Sequence, residues 1–373
     1  MKPFNPFLLT GYHSPEYFCD RETETESLLS ALHNGRNLTL VSPRRMGKTG
    51  LIRHAFYRTQ KQQDALCYYV DLYQTDCLAS LVKKLGEVVL GTLDTTEARI
   101  VKRVAGFFKS LRPMITIDPM TGEPSLGVDI VPEMAERSLA EIFDYMEQSG
   151  KLCYVAFDEF QAVASYADKN VEALLRAHIQ HLTAVRFIFS GSQRHVLESM
   201  FVSVGRPFYQ STQLMPLGTI DREAYARFAQ AKLYANGQQL SDAAFDHLYD
   251  RLKGHTWYVQ MMLNRLYETG ERQLTADFVD RVLRQVVAEN DATYHTFLNL
   301  LTPAQGRLMS AVAKEGDAQE MLSQSFITTH KLGAPSTVKS AREALVEKEM
   351  LLQEGDRYQV YDRFFGIWLE ENM

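Results

Sequence analysis

Cysteine is scarce in this chain of 373 residues, and the few it has stand apart. Cys19, Cys67, Cys77 and Cys153 form no C-x-x-C pair and have no histidine-rich neighbourhood. That spacing suggests neither a zinc site nor a disulfide framework, and it points to reduced thiols in a cytoplasmic setting. Excess positive charge is also missing: 40 Lys and Arg stand against 46 Asp and Glu, a net charge of −6. The balance argues against a protein whose main work is wrapping nucleic acid. No apolar run approaches the roughly 18 residues of a membrane-spanning helix, so no membrane partner is expected. The start, Met1-Lys2-Pro3-Phe4-Asn5-Pro6, lacks the apolar core of a signal peptide. There is no internal repeat and no low-complexity tract.

What is present can build cores: 45% of residues are hydrophobic and 11% aromatic, over a length that suits roughly two or three domains. The most informative segment is Ser42-Pro43-Arg44-Arg45-Met46-Gly47-Lys48-Thr49. It follows the apolar Leu38-Thr39-Leu40-Val41 and leads into Leu51-Ile52-Arg53-His54-Ala55-Phe56. A buried strand, a tight loop ending in Gly-Lys-Thr and a helix make the setting of a phosphate-binding loop. Backbone N–H groups and the positive helix end would cradle phosphate oxygens. Ser42, Pro43, Arg44, Arg45, Met46, Gly47, Lys48, Thr49 and Gly50 are the expected nucleotide contacts. Lys48 would neutralise phosphates and the Thr49 hydroxyl would ligate Mg²⁺. One departure stands out: Ser42 occupies the place of the motif's first glycine, where an unusual backbone conformation is normally needed. The alternative is an ordinary strand-to-helix turn with an exposed lysine.

Strands alternate with helices through the first half, which predicts a parallel sheet covered on both faces. A helix is expected over Glu22–His33, a strand over Leu38–Val41, a helix from Lys48 to about Thr59 and a strand over Leu66–Leu72. Helices follow over Ala79–Leu93 and Ala98–Leu111. Residues 112–131 alternate on either side of Pro119-Met120-Thr121-Gly122-Glu123-Pro124 and read as a β-hairpin projecting from the main sheet. Pro132–Gly150 reads as a helix, Lys151–Phe157 as a strand, Asn170–Thr183 as a helix and Val185–Ser192 as a strand. From Asp221 to about Asn290 every periodic segment is helical. Helices at Pro303–Lys314, Gln319–Lys331 and Ser336–Lys348, then two short strands around Glu354-Gly355-Asp356, make a winged-helix pattern.

A second chemical feature is Tyr154-Val155-Ala156-Phe157-Asp158-Glu159, an apolar strand ending in two acids. At the carboxyl end of a parallel strand such a pair falls near a phosphate site. Asp158 would hold Mg²⁺ directly or through water, and Glu159 would polarise the water that attacks the γ-phosphate. The alternative is a solvated acidic turn. Ser190-Gly191-Ser192 ends the next strand; its hydroxyls would either meet the γ-phosphate or the attacking water, or cap a helix. Arg194 and Arg206 follow as candidates for an arginine finger, in cis or in trans, or for surface ion pairs.

Phe18-Cys19-Asp20-Arg21-Glu22-Thr23-Glu24 resembles the signature of two apolar residues and G-R-E-x-E found in signal-transduction ATPases of the AAA+ superfamily, with Asp20 for the glycine. Together with Arg44–Thr49, Phe157-Asp158-Glu159-Phe160-Gln161, Phe189–Ser192 and the ending Tyr358–Leu369, the chain resembles the archaeal-type ATPase group over nearly its whole length. The resemblance implies an α/β P-loop NTPase (AAA+) domain over 1–218, a helical lid over 219–300 and a winged helix over 301–373. It implies ATP and ADP as ligands, bound between sheet domain and lid, with Arg21 near the adenine. The alternative for Arg21 is a helix-start salt bridge with Glu24. No base-reading N-K-x-D motif of G proteins is present, in keeping with ATP. Gly254-His255-Thr256-Trp257-Tyr258 resembles a lid motif that reads Gly-x-Pro, with Thr256 for the proline. The expected role is a nucleotide-dependent switch with slow hydrolysis and an unidentified protein partner; the alternatives are an ATP-binding interaction module with little hydrolysis and a DNA-associated ATPase using the winged helix. On the expected recognition helix, Lys339 and Arg342 suit DNA while Glu343, Glu347 and Glu349 oppose it, a balance that favours a packing module over DNA binding.

Overall fold

The computed structural model describes residues 4–62, 64–91, 107–117 and 124–373, with the backbone alone for 112–117 and 124–127. The chain divides into two compact units, Thr10–Thr219 and Met1–Leu9 with Ile220–Met373.

The first unit is built on five parallel strands: β1 (Leu38–Val41), β2 (Ala65–Asp71), β5 (Leu152–Asp158), β6 (Val185–Ser190) and β7 (Gln213–Pro216). Their order is β2-β5-β6-β1-β7. Alternation of side chains sends residues of one strand into two separate cores. On one face Leu38, Leu40, Tyr154, Ala156 and Ile188 pack with helices α1 (Glu22–His33) and α2 (Lys48–Gln62). On the other, Cys153, Val155, Phe157, Phe187 and Phe189 pack with α3 (Leu78–Gly91), α4 (Ala135–Glu147), α5 (Val171–Ile179) and α6 (Arg194–Val202). The interior strands are buried along nearly their whole length, as both faces are covered. Beneath the carboxyl ends of β5 and β6 lies a stack of phenylalanines: Phe160 and Phe189 are 4.6 Å apart, and Phe201 and Phe208 close it from α6 and the following loop.

The hairpin β3 (Leu111–Ile117) and β4 (Pro124–Ile130) is antiparallel and forms its own two-stranded sheet. Val128 and Leu111 tuck against Gly86 of α3, and Glu141 of α4 accepts from the amides of Lys109 and Ser110 at its entrance. The Pro–Gly turn expected inside it and most of the helix expected over 98–111 lie outside the described residues.

The second unit begins with α7 (Arg222–Tyr234), α8 (Asp242–Arg251), α9 (Thr256–Thr269) and α10 (Ala276–Glu289). Asp221, Ser241 and Thr275 start three of them, each accepting from a backbone N–H of the first turn. The segment is not purely helical: β8 (Gln239–Leu240) and β9 (Gln273–Leu274) pair in parallel between the helices. Phe7, fully buried, reaches this unit from the N-terminus and packs edge-on against Phe228 and Tyr267. After α11 (Asp291–Asn299) come α12 (Pro303–Glu315), α13 (Gln324–Thr329), α14 (Pro335–Glu347) and the hairpin β10 (Leu351–Glu354)–β11 (Arg357–Val360). Thr302 and Gln305 close α12 with a reciprocal capping box. The second winged-helix helix is shorter than expected, and ahead of it Ala318 pairs with Tyr358 in an antiparallel bridge. A last helix, α15 (Arg363–Asn372), was not expected from the sequence. It carries Phe365, Trp368 and Leu369 into the core and ties to α11 through Trp368 and Asp291 at 2.8 Å. Lid and winged helix, expected as separate domains, thus form one compact unit.

Candidate functional site

The loop from Ser42 to Gly47 links β1 to α2 at the carboxyl edge of the sheet. Its left-handed residues are Arg45 (φ 63°) and Gly47 (φ 96°), and Ser42 has no positive φ. The first glycine of the motif is therefore not needed for conformation here. Lys48 is 7% exposed, and its ammonium donates to Ser42 O at 3.2 Å, Ser42 Oγ at 3.1 Å and Pro43 O at 3.0 Å. The serine in place of glycine holds the lysine with both its carbonyl and its hydroxyl. Arg44, Arg45 and Gly47 are exposed, and Met46 is anchored in the interior. Gly50 lets Phe18 lie across the first turn of α2: a Cβ there would come 3.3 Å from the ring, which stacks on His54 one turn later.

Asp158 is the hub of the site. Oδ2 accepts from Thr49 Oγ1 at 2.9 Å and from the Tyr69 hydroxyl. Oδ1 accepts from Ser190 Oγ at 2.7 Å and from the Glu159 amide at 3.1 Å. Burial first, then the charge of Asp158 and the bond to it, push the Tyr69 phenol well above its ordinary value, so it remains a donor. Glu159, at φ 55°, turns away from the strand. Its Oε2 accepts from Ser192 Oγ at 2.7 Å, from the Ser192 amide at 3.3 Å and from Gln161 Nε2. The two carboxylates are thus held by different serines: Ser190 orients Asp158 and Ser192 restrains Glu159.

Among the described residues no cluster of three or more His, Cys, Asp or Glu could hold a metal. A divalent ion at Thr49 and Asp158 would draw most of its ligands from phosphate and water, as Mg²⁺ sites do. A buried ammonium, exposed loop backbone and a hydroxyl–carboxylate pair 2.9 Å apart fit a nucleoside triphosphate with such an ion.

The three arginines are engaged within the protein. Arg21 is 3% exposed and bonds Glu24 at 2.7 Å, Gly218 O at 2.7 Å, Met46 O at 3.3 Å and Thr219 O at 3.4 Å. The alternative kept open for it, the salt bridge with Glu24, is observed. Its guanidinium braces the loop and residues 218–219 from inside. Arg194 pairs with Glu198 on its own helix at 2.9 Å, and Arg206 pairs with Glu172 of α5. Sequence reasoning missed Tyr69 and the part played by Gln161. A tyrosine mid-strand among apolar residues, and a glutamine two places after the paired acids, were the available signals.

A model for a probable winged helix domain matches residues 292–371. No curated protein sequence matches the chain. Among solved structures, the walker-type ATPase PABY2304 of Pyrococcus abyssi superposes with TM-score 0.66 at 17% identity, covering 98% of this chain and 99% of that one. The ORC2 protein of Aeropyrum pernix, in ADPNP–ADP complexes, gives TM-score 0.60 at 15% identity, covering 98% and 95%. The ORC1 protein of Aeropyrum pernix in complex with DNA gives 0.53 at 12%, covering 99% and 97%. The chain thus shares the fold of these proteins, a parallel sheet covered by helices, followed by further helices and a C-terminal winged helix.

Proposed function

We propose that this protein binds ATP with Mg²⁺ and acts as a nucleotide-dependent switch with slow hydrolysis. The observation that carries it is the meeting of Thr49 and Asp158 at 2.9 Å beside buried Lys48, at the carboxyl edge of a parallel sheet. Lys48 would hold phosphate oxygens, Thr49 would ligate the metal, and Asp158 would hold it directly or through water. The metal would neutralise charge developing on the phosphates. Glu159 would orient and polarise the attacking water. Its carboxylate is tied to Ser192 and Gln161, which supports slow turnover. Ser190 would keep Asp158 aligned, and Arg194 or Arg206 would serve as a finger only after leaving its present partner. The fold shared with the walker-type ATPase and with ORC2 in its ADPNP–ADP complexes supports the nucleotide reading. A cytoplasmic setting suits four free cysteines, of which Cys19 and Cys67 have thiols pushed up to about 12, chiefly by burial.

Titration with a fluorescent ATP analogue, followed by phosphate-release assays, tests this. Wild type is expected to bind and Lys48→Ala to lose binding. Equal binding by both proteins, or none by wild type, sinks the reading.

A second reading, DNA binding through the winged helix, draws on the family model and on the ORC1 structure with DNA. Arg342 lies over the Tyr358 ring at 5.5 Å, which leaves Lys339 as the outward cation near Glu343 and Glu347 on α14. Steeply salt-dependent DNA binding lost in a Lys339→Ala/Arg342→Ala variant would favour this reading, and salt-independent binding would count against it.

A further inference from the structure

We propose that Tyr69 is a positioning residue that keeps Asp158 in contact with metal-bound water rather than with the metal itself, and so sets a preference for Mg²⁺ over Ca²⁺. The proposal rests on the ATP–Mg²⁺ reading above.

A carboxylate offers about four lone-pair sites. On Asp158 they are taken by Tyr69 and Thr49 at Oδ2, and by Ser190 and the Glu159 amide at Oδ1. A hydroxyl ligates a metal through an oxygen lone pair; where Thr49 does so and swings its proton away, it vacates one site, and Tyr69 keeps the other on the same oxygen. Asp158 is then left with a single lone pair, directed where Thr49 was, which suits a proton of metal-bound water.

Tyr69 is not easily moved. It sits on β2 in register with Ala156, two residues before Asp158 on the neighbouring strand. Its ring packs against the core beneath α1 and α2. The Arg53 guanidinium, one helical turn after Thr49, lies 4.1 Å from the ring centroid. A cation over the ring also draws electron density from the phenol and strengthens its donation. Mg²⁺ is small and sheds water reluctantly, so an acceptor for its bound water serves it well. Ca²⁺ takes more oxygen ligands directly. Removing the Tyr69 hydroxyl opens Oδ2 to direct coordination and favours the larger ion.

The test needs no turnover. Binding of a fluorescent ATP analogue is titrated with Mg²⁺ and, separately, Ca²⁺, for wild type, Tyr69→Phe and Arg53→Gln, with melting temperatures confirming the fold. Tyr69→Phe keeps the ring and is expected to leave metal-free affinity unchanged. It shifts the ratio of half-saturating concentrations toward Ca²⁺ by about tenfold, the size a hydrogen bond to a charged group supplies. Arg53→Gln shifts it the same way by less. An unchanged ratio in Tyr69→Phe, or a shift toward Mg²⁺, overturns the proposal while ATP binding stands. Failure of wild type to bind the analogue with either metal overturns the underlying reading, and this one with it.

Discussion

Ser42 decides how far a missing motif glycine matters. Its φ is ordinary, and its hydroxyl and carbonyl both hold Lys48. Restoring the glycine is therefore expected to weaken the protein. Ser42→Gly loses a hydrogen bond to a buried ammonium and adds backbone freedom to the unfolded chain, together about 1–3 kcal/mol. Urea denaturation measures it, and a gain in stability would show that the serine is a strained substitute. Glu159, the base in the proposed mechanism, sits in the opposite situation, held by its neighbours. Ser192→Ala removes its 2.7 Å bond and leaves Gln161 as the only side-chain restraint among those observed. Phosphate release is expected to rise several-fold, within the 10²–10⁴ that a positioned base can contribute in all. A fall in rate would mean that Ser192 orients the base for catalysis instead of restraining it.

At the scale of elements, each unit holds its own end of the chain where one gives way to the other at Thr219 and Ile220. Arg21 holds the carbonyls of Gly218 and Thr219, and the Tyr249 hydroxyl of α8 holds that of Ile220 at 2.7 Å. Gly254 exists to admit that tyrosine: its φ is +64°, and a Cβ would come 2.5 Å from the Tyr249 hydroxyl. Thr256 stands at the first position of α9, where proline is favoured for its fixed φ but not required, so its substitution in the Gly-x-Pro motif leaves the helix start intact. Gly254→Ala should cost about 2–4 kcal/mol through backbone strain and overpacking, against about 1 kcal/mol for Tyr249→Phe. Denaturant melts of the two variants compare them, and a smaller loss in Gly254→Ala would refute the steric account. These elements also show what the sequence could convey. α1 and β1 were legible to the residue, because helical periodicity and a short, mostly apolar run are local signals. Lys48, Thr49, Asp158 and Glu159 could be singled out because the first two open a helix after a tight loop and the last two end a strand. β7 was not: three of its four residues are exposed, and it exists by parallel pairing with β1, some 170 residues earlier. Tyr69 was hidden for the same reason, since its partner lies on another strand.

For the whole molecule, the path of the chain matters more than either unit's composition. It enters the second unit at residues 4–9, leaves it for Thr10–Thr219 and returns at Ile220. Phe7 is buried between Phe228 and Tyr267, and Asn264 donates to its carbonyl at 2.8 Å. Phe7→Ala should remove about 3–5 kcal/mol from the opening of α7 and α9 and leave β1, β5 and β6 protected, as amide hydrogen exchange can show. ATP should act on the other unit first. At a hundredfold excess over Kd it adds about 2.7 kcal/mol to any opening that abolishes the site, and the gain belongs to β1, β5 and α2. A switch demands more than this local protection, because nucleotide binding must bias an element that does not itself hold phosphate. The decisive comparison is therefore exchange in α7, α8 and α9 with and without ATP, in wild type and Lys48→Ala. The switch reading expects those helices to respond to ATP in wild type and to ignore it in the variant. Helices indifferent to ATP in a wild type whose β1 and α2 are protected would leave a nucleotide-binding protein and remove the switch.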